Sequence, residues 1–245
     1  MSTFIAKDSY RFMVTGTSIS KGVIFDNEKG KYLILKDNYV TLVQDKLKVK
    51  IVNVAKFGNT ITRGIPRIED AITKEMPDVA VIEYGGNDCD FAWNEIANDP
   101  DGAHLPLTEF HLFEETLRET IQQFKERGIV PILLTLPPLN AEAYLKWVSR
   151  NDPDAAKSIL KWLGSVTKIY WWHERYNSLI VKVAMATRTQ LIDIRGAFLE
   201  HPDFQKFLCS DGIHPNREGH KVIAEKIIEY IQDIDNSEMF LLEEK

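Results

Sequence analysis

Four short segments carry side chains that together suit acyl transfer: Gly16-Thr17-Ser18-Ile19, Asn53 to Gly58, Gly85-Gly86-Asn87-Asp88 and Asp211-Gly212-Ile213-His214-Pro215. A serine that follows a glycine at the end of a strand can hold its hydroxyl clear of the sheet. A hydroxyl becomes a nucleophile once a base takes its proton, and an imidazole backed by a carboxylate is the usual device. Ser18 offers the hydroxyl, and His214 with Asp211 three residues earlier offers the pair. The reaction also needs donors aimed at the developing oxyanion. Gly58 offers a backbone N–H that no side chain shields, and Asn87 a side-chain amide. Taken one at a time these segments read as turns or a helix cap. Their combination supplies every part of an acyl-transfer site. The serine loop is not the G-x-S-x-G elbow, because position 20 is serine.

The elements between these segments explain how they could meet. Short apolar runs at Arg11–Val14, Val49–Val54, Val79–Tyr84, Ile129–Leu136 and Gln190–Ile194 read as strands covered on both faces. Helical patterns fall between them: Leu33–Leu47, Ile61–Glu75 (with Pro66 opposing a regular start before it), Thr108–Arg127 with Gly128 as its stop, and Lys221–Ile234. Strands alternating with helices imply a parallel sheet between two helical layers, with ligands beyond the carboxyl ends of the strands. The serine, glycine and asparagine segments each follow an apolar run, and the Asp211 segment is placed after the fifth. A stretch at about 137–176 breaks the alternation. It is rich in Trp and Tyr and reads as a mostly helical insertion.

The bulk composition narrows the partners. The chain has 245 residues and a formal net charge of -6, with no strong Lys/Arg block, so a nucleic-acid partner is not expected. The length suits a single α/β domain over 1–245 with a core that needs no staple. Met1 to Tyr10 lacks a secretory pattern and no stretch is long and apolar enough to span a bilayer, so a cytoplasmic protein is expected. Cys89 and Cys209 make neither a disulfide framework nor a zinc set, and both are expected reduced and close to the site. His104, His111, His173, His201 and His220 lack metal-ligand spacing and read as structural or surface residues. No metal and no cofactor are expected.

In order and spacing the four segments resemble the SGNH (GDSL-like) hydrolases over about residues 10–232, most specifically in the run from Asp211 to His220. The resemblance implies a flavodoxin-like three-layer α/β/α sandwich with a five-stranded parallel sheet, and a metal-free serine esterase or lipase-like activity. It implies Ser18 as nucleophile, His214 as general base and Asp211 as the residue that orients it. It also implies an oxyanion hole formed by the Ser18 N–H, the Gly58 N–H and the Asn87 amide. The substrate would be a small or carbohydrate-linked ester, cleaved by a monomer or a homo-oligomer. Thr17, Tyr84, Trp93, Trp147, Trp171 and Trp172 are expected around the substrate, although Glu83 and Tyr84 also suit core packing. In one respect the chain departs from the family: Thr17 stands where an aspartate is usual, between the glycine and the serine. Three rival readings use the same residues. They are an acyltransferase with the same triad, a non-catalytic carbohydrate-binding protein, and a metal-dependent phosphoesterase built on Asp88, Asp211 and His214.

Overall fold

The computed structural model describes residues 10–236, so nearly all of the amino-terminal segment read above, and residues 237–245, lie outside it. The strands are β1 (Arg11–Gly16), β2 (Val23–Asp26), β3 (Lys31–Ile34), β4 (Lys50–Asn53), β5 (Val79–Glu83), β6 (Val130–Leu134) and β7 (Gln190–Ile192). Five of them pair in parallel in the order β4-β1-β5-β6-β7, the flavodoxin-like winding. The topological switch lies between β1 and β5, whose register sets Gly16 opposite Glu83.

The pleat sorts each strand's side chains between two cores. Met13, Ala80, Ile82 and Leu133 face one layer, formed by α3 (Ile61–Glu75), α5 (Phe110–Glu126) and α8 (Thr167–Thr187). Val14, Val79, Val81 and Ile132 face the other, formed by α2 (Tyr39–Leu47), α9 (Ile194–Leu199) and α10 (Arg217–Asn236). Each fully buried aliphatic side chain contributes about 1.5–3 kcal/mol, and those of β5 are buried on both faces. That is why the apolar runs of β1, β5 and β6 read as central strands; β4 and β7, also expected to be covered on both faces, are edge strands and only partly buried.

Two expectations need correction. Leu33–Leu47 is not one helix. Leu33 and Ile34 belong to β3, which pairs with β2 in an antiparallel hairpin that the sequence reading lacked. The helix starts only at Tyr39, where the Asn38 side chain accepts the Val40 and Thr41 N–H groups at 3.0 and 3.3 Å. Four-residue, half-buried strands are too short to show a period. Nor does Asp211 follow the fifth sheet strand directly: α9 and a 3-10 turn at Phe204–Phe207 intervene. Pro66 sits inside α3, on its exposed side, where water can serve the carbonyl left without a partner.

The segment at about 137–176 folds largely into helices. It comprises α6 (Ala141–Val148), α7 (Pro153–Leu163) and the start of α8, and with α4 (Trp93–Asn98) it builds a third apolar cluster above the sheet. Among the described residues no helix is long and apolar enough to cross a membrane.

Candidate active site

Ser18 opens a single turn of helix, α1 (Ser18–Lys21), directly after β1. What bends the chain there is a buried carboxylate. Glu83 Oε2 accepts the backbone N–H groups of Thr17 and Ser20 at 3.0 and 3.2 Å, and the Ser20 hydroxyl at 2.8 Å. The Thr17 hydroxyl donates to the same carboxylate at 2.9 Å. Thr17 occupies the position of the family's usual aspartate, so here the carboxylate comes from the end of β5 and the loop supplies a donor. Gly16 is required by this approach, since a Cβ there would lie 2.6 Å from the Glu83 carbonyl and 2.8 Å from Oε2. Burial pushes the Glu83 carboxyl up from its ordinary range, against the pull of the Thr17 and Ser20 hydrogen bonds.

The residues from the carboxyl-terminal segment meet Ser18 across 196 positions of sequence: His214 Nε2 lies 2.8 Å from Ser18 Oγ. His214 Nδ1 lies 2.6 Å from Asp211 Oδ2, and Asp211 Oδ1 accepts the Ile213 and His214 N–H groups at 3.1 Å each. Ser18, His214 and Asp211 retain 6%, 4% and 0% exposure, so water scarcely competes for these bonds. Burial alone would raise the Asp211 carboxyl; the hydrogen bonds and charge of His214 outweigh it and hold the group below its ordinary range. Gly212, at φ +79°, lets this loop lie against the start of α6: a Cβ would come within 2.7 Å of the Asn140 carbonyl. Asn216 then caps α10 through the Glu218 and Gly219 N–H groups.

Two residues to which the sequence reading gave no role pack against the imidazole. Tyr32, from the β2–β3 hairpin, donates its hydroxyl to Asp211 Oδ2 at 3.2 Å and sets its ring edge-on to His214 at 5.2 Å. Burial, and next the Asp211 charge, raise the Tyr32 phenol, which keeps it a donor. Phe57 packs beside Tyr32, 5.2 Å from it, with its ring centroid 6.1 Å from that of His214 and the planes within 7°. No sequence signal singled out Tyr32, because nothing in a four-residue strand announces a contact with residue 211.

Gly58 and Asn87 both border the space at Ser18. Asn87 is oriented by donating one amide proton to the Asn59 carbonyl at 2.8 Å, which leaves its second amide proton for a ligand. The Ser18 N–H lies in the first turn of α1, where amides lack an intrahelical acceptor. Asp88 plays a different part. It accepts the Ile61 and Gly85 N–H groups and the Thr108 hydroxyl, at 2.8 to 3.0 Å, tying the β5 loop to α3, and it lines neither cavity at Ser18.

Those cavities are a small chamber of about 60 Å³ behind Ser18 and an open groove of about 760 Å³ in front of it. Of the expected substrate residues, Thr17 and Trp172 line the chamber, Trp147 the groove and Trp93 both. Tyr84 lines neither; its hydroxyl is bonded to Thr15 at 2.8 Å within the core under α3. Trp171 also lines neither. It is 51% exposed and belongs, with Trp162, to a separate surface groove. Both cysteines are free thiols: Cys89 lines the chamber, and the Cys209 N–H donates to the His214 carbonyl at 2.7 Å.

Comparison with known proteins agrees with this architecture. The model of the GDSL-like Lipase/Acylhydrolase family matches residues 16–222. The chain is 23% identical over 160 residues to the GDSL esterase/lipase WDL1 of Oryza sativa subsp. japonica, a match that covers 65% of this chain and 55% of that protein. It is 22% identical over 196 residues to an acetylxylan esterase of Geobacillus stearothermophilus, covering 77% of this chain and 75% of the relative. A crystal structure of the lipase/acylhydrolase from Enterococcus faecalis superposes with a TM-score of 0.66 at 19% identity, over 91% of this chain and 96% of that one. With the family match running from the end of β1 through β7 and over all four loops of the site, the chain belongs to the GDSL-like lipase/acylhydrolase family of carboxylic-ester hydrolases.

Proposed function

We propose that this chain is a single-domain serine esterase that removes a short acyl group from a bulky, polar alcohol through an acyl-enzyme. The observation that carries this reading is the buried, unbroken hydrogen-bond chain from Ser18 Oγ through His214 to Asp211, at 2.8 and 2.6 Å. His214 Nε2 takes the Ser18 proton as Oγ attacks the ester carbonyl, and Asp211 steadies the imidazolium. The oxyanion is received by the Ser18 and Gly58 N–H groups and the Asn87 amide; a donor of this kind is worth about 3–4 kcal/mol of barrier. The imidazolium then protonates the departing alcohol. Water attacks the acyl-enzyme by the same route, returning the proton to Ser18.

The two cavities support the substrate class. The chamber holds only a few heavy atoms, which suits an acetyl-sized acyl group. The open groove, with Tyr32, Phe57, Trp147, Asn94 and Asn151 among its residues, offers aromatic faces and amides for a hydroxyl-rich leaving group such as an acetylated sugar. The Geobacillus relative is named for an acetylated polysaccharide. A panel of 4-nitrophenyl esters of increasing acyl length, with acetylated sugars, tests the reading. Turnover should fall steeply once the acyl chain outgrows the chamber. Ser18→Ala should abolish it with a melting temperature near wild type, and a variant that kept most of its activity would remove Ser18 from the mechanism.

A further inference from the structure

The chamber at Ser18 is walled largely by hydrocarbon, from Phe91, Leu136, Leu139, Ile169 and Trp172, yet a histidine outside the Ser18–His214–Asp211 chain also lines it. His173 lies on α8 and keeps only 7% exposure. Buried Arg195 brings Nη1 to 3.5 Å from His173 Nδ1. A guanidinium has donors only, so Nδ1 is the accepting nitrogen, and the proton of the neutral ring sits on Nε2. Arg195 is itself fixed by the Leu136 carbonyl at 3.3 Å, the Tyr170 hydroxyl at 2.5 Å and the Glu174 carboxylate at 2.6 Å. Burial, and next the Arg195 charge, push His173 down to about 3, so the ring stays neutral wherever an imidazole base can work. Among the described residues no protein acceptor is paired with the Nε2 proton. The Nε2 atom is not sealed from solvent, so water in the chamber serves its proton, and a bound group with an acceptor can take the place of that water.

We propose that His173 determines acyl specificity, selecting a short acyl group whose tail carries an oxygen acceptor, of the glycolyl or alkoxyacetyl kind, over a hydrocarbon acyl group of the same length. The inference rests on the serine-esterase reading above, which puts the carbonyl at Ser18 and the tail in the chamber. Arg195 acts through His173, holding the ring so that Nε2 carries the donor. A hydrocarbon tail would displace any water from His173 and leave the donor unpaired; an ether or hydroxyl oxygen would replace that water.

The matched pair is 4-nitrophenyl methoxyacetate and 4-nitrophenyl butyrate, which differ by one oxygen in place of a methylene. Their ratio of kcat/KM is divided by the ratio for hydroxide hydrolysis, which removes the intrinsic reactivity of the methoxy ester. The wild-type protein should exceed the hydroxide ratio by about tenfold, the worth of one neutral hydrogen bond. His173→Phe should return the ratio to that of hydroxide, and His173→Gln, which can accept from Arg195 and donate into the chamber, should retain most of the preference. Butyrate turnover in each variant reports an intact site, and the wild-type ratio needs no variant. A wild-type ratio equal to that of hydroxide, or a preference unchanged in His173→Phe, overturns the role of His173 and leaves the esterase reading standing. Hydrolysis of neither ester above the Ser18→Ala background overturns the role of His173, and the esterase reading falls with it only if 4-nitrophenyl acetate is not hydrolysed either.

Discussion

The loop that carries Ser18 depends on one carboxylate at the end of an otherwise apolar strand. Glu83 gathers the Thr17 and Ser20 N–H groups and both of their hydroxyls in a site without water access. Glu83→Leu would orphan these donors, at about 1–3 kcal/mol each. The expected result is a marked loss of thermal stability and a fall in kcat larger than any rise in KM, because the position of Oγ is lost while the groove persists. Glu83→Gln should be far milder, since its single oxygen can still meet the donors that converge on Oε2. Calorimetry with steady-state kinetics on the two variants checks this, and equal damage by both would mean that charge, rather than acceptor geometry, holds the loop.

The β2–β3 hairpin is the element that the sequence reading lacked, and through Tyr32 it reaches the Asp211 carboxylate. Tyr32→Phe keeps the ring beside His214, Phe25 and Trp147 but removes one donor from Asp211. The carboxylate oxygen that holds His214 Nδ1 then loses one of its fixed donors, so kcat should fall severalfold while KM changes little. A hairpin that served only as packing would leave kcat unchanged when the hydroxyl alone is removed. The helical insertion acts through α6, whose amino end abuts the Gly212 loop, with the Asn140 N–H donating to the Gly212 carbonyl at 2.8 Å. Gly212→Ala should displace the His214 loop, because its Cβ would meet backbone on α6. Activity should fall at least tenfold in a protein whose circular dichroism is unchanged, and full activity would show that the loop can shift without harm.

Across the whole molecule, burial of histidines couples stability to pH. His220 is fully buried, stacks on Tyr39 at 6.0 Å and accepts the Tyr39 N–H at 3.4 Å. Burial, and next the nearby His214, push it down to about 4, with Asp37 opposing. An unfolded chain takes up this proton near pH ~6.5, whereas the native site refuses it until about 4. Between those values the unfolded state binds more protons, so stability falls as pH falls, by up to roughly 3 kcal/mol from this residue. His173 adds in the same direction. Thermal melts from pH 7 to 4 should show the decline, and His220→Phe should flatten part of it; an unchanged slope would assign the loss to other groups.

The apolar runs and the residues just after them were enough to place Ser18, Gly58 and Asn87 at one edge of a parallel sheet, and the Asp-x-x-His spacing joined His214 to Asp211. These features are local: a strand buried on both faces has to be apolar throughout, and a carboxylate three residues before a histidine lies within reach of its ring. The contacts that hold and tune the site are not local. Glu83 meets Thr17 because β1 and β5 pair, and Tyr32 meets Asp211 across 179 residues because a hairpin folds over the sheet edge. Trp172 reaches the chamber while its neighbour Trp171 faces solvent, a difference set by the rotation of α8 against the sheet. Only the packed structure decides such meetings, because the energy of a long-range contact resides in two side chains brought together by the rest of the fold, and neither carries a mark of its partner in its own stretch of sequence.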